Sequence, residues 1–99
     1  MPKYDVFPNP SGDGYLLDIQ SDLLSGLNTR VVVPLLPEAT APIPATRLNP
    51  VFDIQGKPFV MATQFMAAVP VGILKSPVDD LDDHFAQITA GIDMLMQGF

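Results

Sequence analysis

Cysteine is absent from the 99-residue chain, and histidine occurs only once. The lack of cysteine excludes disulfide bonds, thiolate nucleophiles and thiolate metal ligands together. Stability must therefore come from packing and from association with other molecules, and we expect a cytoplasmic protein. The N-terminal sequence MPKYDVF has no basic stretch leading into an apolar segment, so a signal peptide is not expected.

Basic residues are also scarce. Five Lys and Arg side chains stand against eleven Asp and Glu, which gives a formal net charge of -6. Nucleic-acid binding derives most of its affinity from clustered cations that neutralise phosphates, so direct binding to DNA or RNA is not expected. An acidic chain of this kind is better suited to binding a basic protein surface.

Apolar side chains are abundant for so short a chain. Hydrophobic residues make up 47% of the sequence and charged residues 16%. The length allows one core, so we predict a single domain over residues 1–99. So apolar a domain is expected to cover part of its surface with a second copy, which predicts a homodimer. The longest apolar stretch, residues 59–74, is too short to span a membrane.

Six short segments have the composition of β-strands, and turn residues separate them. They are residues 3–7, 15–20, 30–35, 51–55, 58–62 and 65–74, the last bent near Pro70 and Gly72. Residues 34–50 carry five prolines, which favours a loop because proline cannot donate to a strand ladder. Residues 21–26 are predicted to form one helical turn or a compact loop. This spacing predicts a small barrel or a rolled antiparallel sheet.

The hydrophobic period changes from that of a strand to that of a helix near the C-terminus. Apolar side chains recur in steps of three and four, at Phe85, Ile88, Ile92 and Leu95, with Met96 beside them. We therefore predict a helix over residues 82–97 whose apolar stripe packs on the sheet. Gly91 inside this helix predicts close packing against a neighbouring segment.

A run of acidic residues marks the start of the predicted helix. Asp82 is the best N-cap candidate, and Asp83 suits the positive end of the helix dipole. Together with Asp79 and Asp80, these residues could supply oxygen ligands to a calcium ion, but the spacing lacks the glycine and final glutamate of an EF-hand loop. A solvated, helix-capping segment is the better interpretation, and neither a metal nor a cofactor is expected.

Few residues could support catalysis. His84 lies among acids in the predicted first helical turn, where a surface position is a better interpretation than a general base. Asp18 and Asp53 fall inside otherwise apolar strands. Each either faces outward or, if buried, needs a donor such as Arg30 and has a structural role. An enzyme is therefore not expected.

The chain ends on a predicted helix, a glycine and a large aromatic residue, in the sequence DMLMQGF. If Gly98 adopts the left-handed conformation that ends many helices, Phe99 folds back toward Met94. Met94 lies about 180° from Phe85 on the helical wheel, so the pair would be exposed. An exposed phenylalanine beside a flexible methionine is typical of a binding hot spot. The pattern is consistent with a simple helix cap and with a binding surface.

The blocks YLLDIQSDLL, RVVVPL, MAAVPVGIL and IDMLMQGF, in this order and spacing, resemble the CcdB family of bacterial toxins over nearly the whole chain. The resemblance implies a mainly β fold, an SH3-like small barrel of antiparallel strands with a C-terminal helix, assembled as a homodimer. It also implies a type II toxin that binds the DNA gyrase A subunit and traps the gyrase-DNA cleavage complex, causing double-strand breaks without catalysis. A CcdA-like antitoxin is the implied neutralising partner.

In that family, the end of the helix and an apolar turn after the second strand contact gyrase. The matching positions, which the resemblance implies for gyrase binding, are Leu23, Leu24, Asp93, Met96, Gln97, Gly98 and Phe99. The chain departs from the family at Gln97, where the best-known member has tryptophan. This departure motivates a second hypothesis, a homologue that binds an antitoxin without poisoning gyrase.

A third hypothesis is an endoribonuclease, because the MazF and Kid ribonuclease toxins are similar to the CcdB family in fold. Such an enzyme needs cationic and proton-transferring side chains around the scissile phosphate. The sparse Lys and Arg, the single histidine and the net charge of -6 disfavour this hypothesis.

Overall fold

The computed structural model describes residues 2–99. The strands in this range are β1 (Asp5–Pro8), β2 (Tyr15–Asp18), β3 (Thr29–Pro37), β4 (Val51–Ile54), β5 (Lys57–Met61), β6 (Ala67–Pro70) and β7 (Asp79–Asp80). Short 3-10 turns cover Asp22–Leu24, Thr63–Phe65, Val71–Ile73 and Asp82–His84, and the α-helix α1 covers Phe85–Gln97. No helix in the described chain is long and apolar enough to cross a membrane.

The strands form one antiparallel sheet that curls into a nearly closed barrel. The strand order is β4-β5-β3-β2-β1-β7, and β6 also pairs with β3. The two ends of this order approach each other, because the Gln55 side chain after β4 donates to the Val78 carbonyl before β7 at 3.2 Å. The Phe52 ring of β4 also lies 5.1 Å from the His84 ring. A small antiparallel barrel with a C-terminal helix confirms the predicted fold class.

Strand β3 is the centre of the sheet and is longer than predicted. It runs through Pro34 to Pro37, so the prediction that a loop begins at Pro34 was wrong. Pro34 lies where β3 changes its neighbour, from β6 up to Val32 to β5 from Leu35 onward. A residue at this change needs no ladder donor on that side, and the Pro34 carbonyl still accepts from the Ala62 amide at 2.9 Å.

The core fills the barrel and continues beneath the helix. Buried apolar side chains from five strands, the segment before the last 3-10 turn and the helix form its main cluster, namely Val6, Leu17, Val33, Leu35, Phe52, Ile54, Phe59, Met61, Leu81 and Ile88. A second cluster consists of Phe7, Leu16, Val32 and Leu74. Adjacent strand residues therefore enter different clusters, as expected when both faces of a curled sheet are covered.

The proline-rich segment before β4 forms the surface on which α1 rests. Its Asn49 is buried, and the side-chain amide donates to the Met61 carbonyl at 3.0 Å. The helix approaches this segment through Gly91, where an added Cβ would lie 3.2 Å from the Leu48 carbonyl oxygen and 3.3 Å from that of Arg47. The close packing predicted at Gly91 is confirmed.

The predicted helix differs from the observed one at its start. Residues 82–84 form a 3-10 turn, and neither this turn nor α1 has a side-chain N-cap, so the prediction of Asp82 as the N-cap was wrong. The Asp82 amide instead bonds the Asp80 carboxylate at 3.3 Å. Leu81 fills the core just before the turn, which places the first helical residues away from the sheet.

The apolar stripe of the helix is shorter than predicted. Ile88 is fully buried and Ile92 packs partly on the core. Phe85 is 59% exposed and Met96 66% exposed, and Leu95 is exposed as well, so the prediction that they face the sheet was wrong. The helix contributes only its middle turns to the core cluster, and both of its ends extend beyond it.

Strand β7 is formed by Asp79 and Asp80, which the sequence analysis interpreted as part of a solvated, helix-capping segment. In its pairing with β1, Asp80 lies opposite Asp5. Partial burial raises the pKa of the Asp5 carboxyl, and the carboxylates of Asp80, Asp18 and Asp82 raise it further, against a small lowering by the N-terminus. Like charges directly opposite each other in a strand pair are destabilising.

The substitution Asp5→Asn should therefore stabilise the protein at neutral pH. Because the pKa of Asp5 is raised in the folded state, the free energy of unfolding falls as the pH rises from 3.8, the usual pKa, through the folded-state pKa. Above the folded-state pKa, this loss of stability stays constant. We expect a gain of at most about 1 kcal/mol at pH 7 that shrinks as the pH approaches 4. Urea unfolding at several pH values measures it.

The matched control for this substitution is Asp53→Asn. Asp53 is exposed on β4 and lies opposite Pro58, so its replacement changes the net charge equally without relieving a facing carboxylate. Equal stability gains from the two substitutions would contradict the prediction, because they would reflect net charge alone.

Candidate functional site

The polar residues considered for catalysis do not converge. His84 is exposed, and its Nδ1 lies 3.2 Å from the Gln87 side-chain oxygen. Among the described residues, no group of three or more His, Cys, Asp or Glu side chains could hold a metal ion. Asp53 faces outward, which is one of the two outcomes left open for it.

Asp18 and Arg30 form a buried ion pair. Asp18 therefore has the alternative that the sequence allowed, burial beside a donor. The side chains of Asp18 and Arg30 are 0% and 1% exposed. The Arg30 Nε donates to Asp18 Oδ2 at 3.0 Å, and its Nη2 donates to the same oxygen. Two residues that lie 12 positions apart in sequence meet here because β2 and β3 are paired. This pair has a structural role and is not available to a ligand from solvent.

The helix tail, defined as residues 93–99, is the first candidate surface. α1 ends at Gly98, whose φ of +83° is in the left-handed region and whose amide bonds the Met94 carbonyl at 3.0 Å. Glycine adopts this conformation without the steric cost of a Cβ. The predicted left-handed conformation of Gly98 is therefore confirmed, and it sets the direction in which Phe99 leaves the helix.

Most side chains of the helix tail face solvent. Phe99 is 71% exposed and Met96 is 66% exposed, while Met94 and Leu95 are each 37% exposed. Asp93 is half-buried, and Gln97 is exposed. Several large apolar side chains at one helix end are more than the scattered exposed hydrophobics of an ordinary surface, and such patches mark interaction sites.

The apolar turn, defined as Leu23 and Leu24, is the second candidate surface. It belongs to the 3-10 turn after β2, and the Ser21 hydroxyl accepts from the Leu23 amide at 3.2 Å at its start. Leu23 is 95% exposed and Leu24 is 49% exposed. Of the two forms predicted for residues 21–26, the structure shows the helical turn, and both leucines are exposed on it.

Leu27 lies three residues after the apolar turn and is 50% exposed, although it was not among the predicted site residues. Its amide bonds the Leu24 carbonyl at 3.1 Å, so it continues the same compact segment. The only signal in the sequence for an exposed residue here was an isolated leucine between Gly26 and Asn28. The structure therefore extends the exposed apolar surface beside the turn to Leu27.

The two candidate surfaces belong to different elements of the fold. Among the strands and 3-10 turns, α1 contacts chiefly Thr63–Phe65 and Asp82–His84, and it also approaches the proline-rich segment at Arg47 and Leu48. The apolar turn is not among these neighbours, so a partner that used both surfaces would contact two separate elements.

A comparison with protein-family models matches residues 3–98 to the family described as CcdB protein. The matched region begins just before β1 and ends at Gly98, so it contains the apolar turn and all of the helix tail except Phe99.

Proposed function

Because the chain belongs to the CcdB family, a family of toxins of toxin-antitoxin systems, we propose that it binds the A subunit of DNA gyrase. In this proposal the bound toxin traps the complex in which gyrase has cleaved DNA, so that the enzyme produces double-strand breaks. The toxin itself catalyses no step. It acts by holding one state of its target, which requires only that it binds that state more tightly than the others.

The exposed helix tail is the observation that carries this proposal. Phe99 and Met96 keep 71% and 66% of their surface in solvent although each could stabilise a folded core. Fully burying one such side chain contributes about 1.5–3 kcal/mol, so covering both in a partner supplies a large part of a binding free energy.

The proposed gyrase contact combines the two surfaces. Its residues are Leu23, Leu24, Asp93, Met96, Gln97, Gly98 and Phe99. In the tail, Phe99 and Met96 supply apolar anchors, Gly98 directs the chain, and Gln97 supplies amide hydrogen bonds. The apolar turn adds a second anchor on another element, which would make binding depend on the correct geometry of both surfaces.

We further propose a homodimer and a CcdA-like antitoxin as partners. Large apolar side chains outside the proposed site, such as Ile43 and Phe65, are also exposed, and this area supports burial against a second copy. A net charge of -6 supports recognition of a partner segment that carries basic residues.

The environments of Arg30 and His84 weigh against the alternative of an endoribonuclease. Arg30 is 1% exposed and paired with Asp18, so it does not reach a phosphate in solvent. His84 contacts Gln87 and Phe52 and has no cationic neighbour among these contacts. A homologue that binds an antitoxin without poisoning gyrase is the stronger alternative, because Gln97 presents a polar, exposed side chain in the helix tail.

The proposal is tested by incubating the purified protein with gyrase, supercoiled plasmid and ATP, followed by detergent and protease. We expect linear plasmid to accumulate with increasing protein concentration. A parallel reaction without gyrase controls for direct DNA cleavage. Undisturbed supercoiling at saturating toxin would contradict gyrase poisoning, and tight binding of a CcdA-like antitoxin in that case would favour the non-poisoning homologue.

A further inference from the structure

The apolar turn has a defined shape although little of it is buried. None of the residues of the 3-10 turn Asp22–Leu24 is buried, and Leu24 is 49% exposed. Local backbone bonds close the turn, but these do not attach it to the barrel. The polar contacts that leave the turn therefore add to its limited packing in setting its position on the body.

Gln20 makes a partly buried contact of this kind. Its side chain is 7% exposed, and its Nε2 donates to the Leu24 carbonyl at 3.1 Å. At the other end of the same amide, Oε1 accepts from the Val31 amide of β3 at 3.0 Å. One side chain thus connects the end of the apolar turn to the central strand of the sheet.

The backbone of Gln20 is also hydrogen-bonded to the body of the protein. Its amide donates to Asp18 Oδ1 at 3.0 Å, while the other carboxylate oxygen of Asp18 binds Arg30. Hydrogen bonds that involve a charged group are stronger than neutral ones. A continuous set of polar contacts, buried at the Arg30-Asp18 pair and partly buried at its end, therefore runs from that pair through Gln20 to the Leu24 carbonyl.

We propose that Gln20 is a positioning residue for partner binding: it holds Leu23 and Leu24 in the orientation that a partner recognises. This inference rests on the proposed role of the apolar turn in gyrase binding. An exposed contact, from the Lys3 amide to the Asp22 carboxylate at 2.8 Å, braces the other side of the turn. Water competes more for that exposed contact than for the partly buried bridge from Gln20, so the bridge carries more of the positioning.

The substitution Gln20→Met tests this role, because methionine has a similar length and makes neither hydrogen bond. We expect binding to purified gyrase A subunit to weaken about tenfold, through the cost of ordering a loosened turn. Amide hydrogen exchange at Leu24 and Leu27 should accelerate, whereas exchange at the core residue Val33 should stay close to that of the unchanged protein. The matched control is Gln64→Met, which removes a glutamine bond to Asn49 and no bond to the turn.

A double-mutant cycle separates positioning from general destabilisation. In the background Leu23→Ala/Leu24→Ala, the turn has lost its anchors, so Gln20→Met should weaken gyrase A binding no further. An equal loss in both backgrounds would overturn the inference, because it would show an effect that does not pass through the turn. Unchanged exchange at Leu24 and Leu27 in Gln20→Met would also overturn it.

A separate result would refute the premise that the apolar turn contacts gyrase. If Leu23→Ala/Leu24→Ala binds gyrase A as tightly as the unchanged protein, the turn has no part in binding, and both the proposed contact and the role of Gln20 are refuted at that point. If the pair of leucines matters but Gln20→Met binds normally, the proposed contact stands and only the positioning role is refuted.

Discussion

Deleting residues 97–99 should lower the affinity for the gyrase A subunit at least about 100-fold and abolish the accumulation of linear plasmid. The deletion removes Phe99, which is 71% exposed, together with Gly98, which directs it. It leaves the core residue Ile88 and the partly buried Ile92 in place. We therefore expect a folded protein with an unchanged unfolding midpoint, to within the small cost of an uncapped helix end.

Point variants assign this loss to particular side chains. Phe99→Ala alone should weaken gyrase A binding about 30-fold, as expected for an aromatic hot spot. The matched control is Phe85→Ala, which removes the same side chain from the other end of α1, where it is 59% exposed and outside the proposed site. Similar losses from the two variants, measured by titration calorimetry, would refute the assignment of the helix tail as the contact.

The same deletion bears on the antitoxin. A toxin whose tail contacts gyrase should keep at least part of its antitoxin binding after residues 97–99 are removed. Equal and complete loss of both interactions, with the fold retained, would indicate that one surface serves both partners. Binding of a CcdA-like antitoxin peptide to the deletion variant provides this measurement.

Replacing Arg30 with methionine should lower the free energy of unfolding by about 3–5 kcal/mol, which is a large part of the stability of a small domain. The substitution leaves the Asp18 carboxylate fully buried without its cationic partner. Removing one member of a buried ion pair is costly because the remaining charge keeps its desolvation penalty and loses its compensation. Equilibrium unfolding in urea measures the loss through the shift in midpoint.

Two further variants test whether this loss of stability comes from the buried, unpaired charge of Asp18. Arg47→Met changes an exposed arginine and should alter stability by no more than about 0.5 kcal/mol. The double variant Asp18→Leu/Arg30→Met removes both charges and should recover much of the stability lost by Arg30→Met alone. If Arg30→Met lowered the free energy of unfolding as little as Arg47→Met, the buried ion pair would contribute little to stability. Asp18 would then stabilise the contacts that lead to Gln20 less than proposed.

Local sequence signals predicted most of the elements. The turn residues that separate the predicted strands at 8–14 and at Gly56 lie between the strands of two hairpins, since the conformational preferences of such residues act over a few positions. Lys57, which also lay between predicted strands, is the first residue of β5. Gly98 marked the end of the helix for the same reason. Strand β7 was missed because two residues carry no readable period, and its pairing with β1 is a contact distant in sequence.

The exposure of α1 and its C-terminal end was predicted at Met94 and Phe99 but not along the apolar stripe of the helix. The helical period placed Phe85 and Leu95 on the same face as Ile88, and that angular relation is a property of any helix. Burial of a face depends on how far the sheet extends beneath the helix, which no local pattern records. Both ends of α1 extend beyond the core cluster, so residues predicted as core became exposed surface.

The sequence by itself determined the small antiparallel barrel with its C-terminal helix, the apolar turn, the glycine that ends the helix and the membership of the family. It could do so because periodicity, turn chemistry and the order of sequence blocks are properties of the linear chain. Only the tertiary structure decided that Asp18 is buried with Arg30 while Asp53 faces solvent, and that Gln20 connects β3 to the apolar turn. Those outcomes depend on which segments become neighbours in space. The free energy of a charge or an amide is set by the groups that surround it after folding, not by its neighbours in the chain.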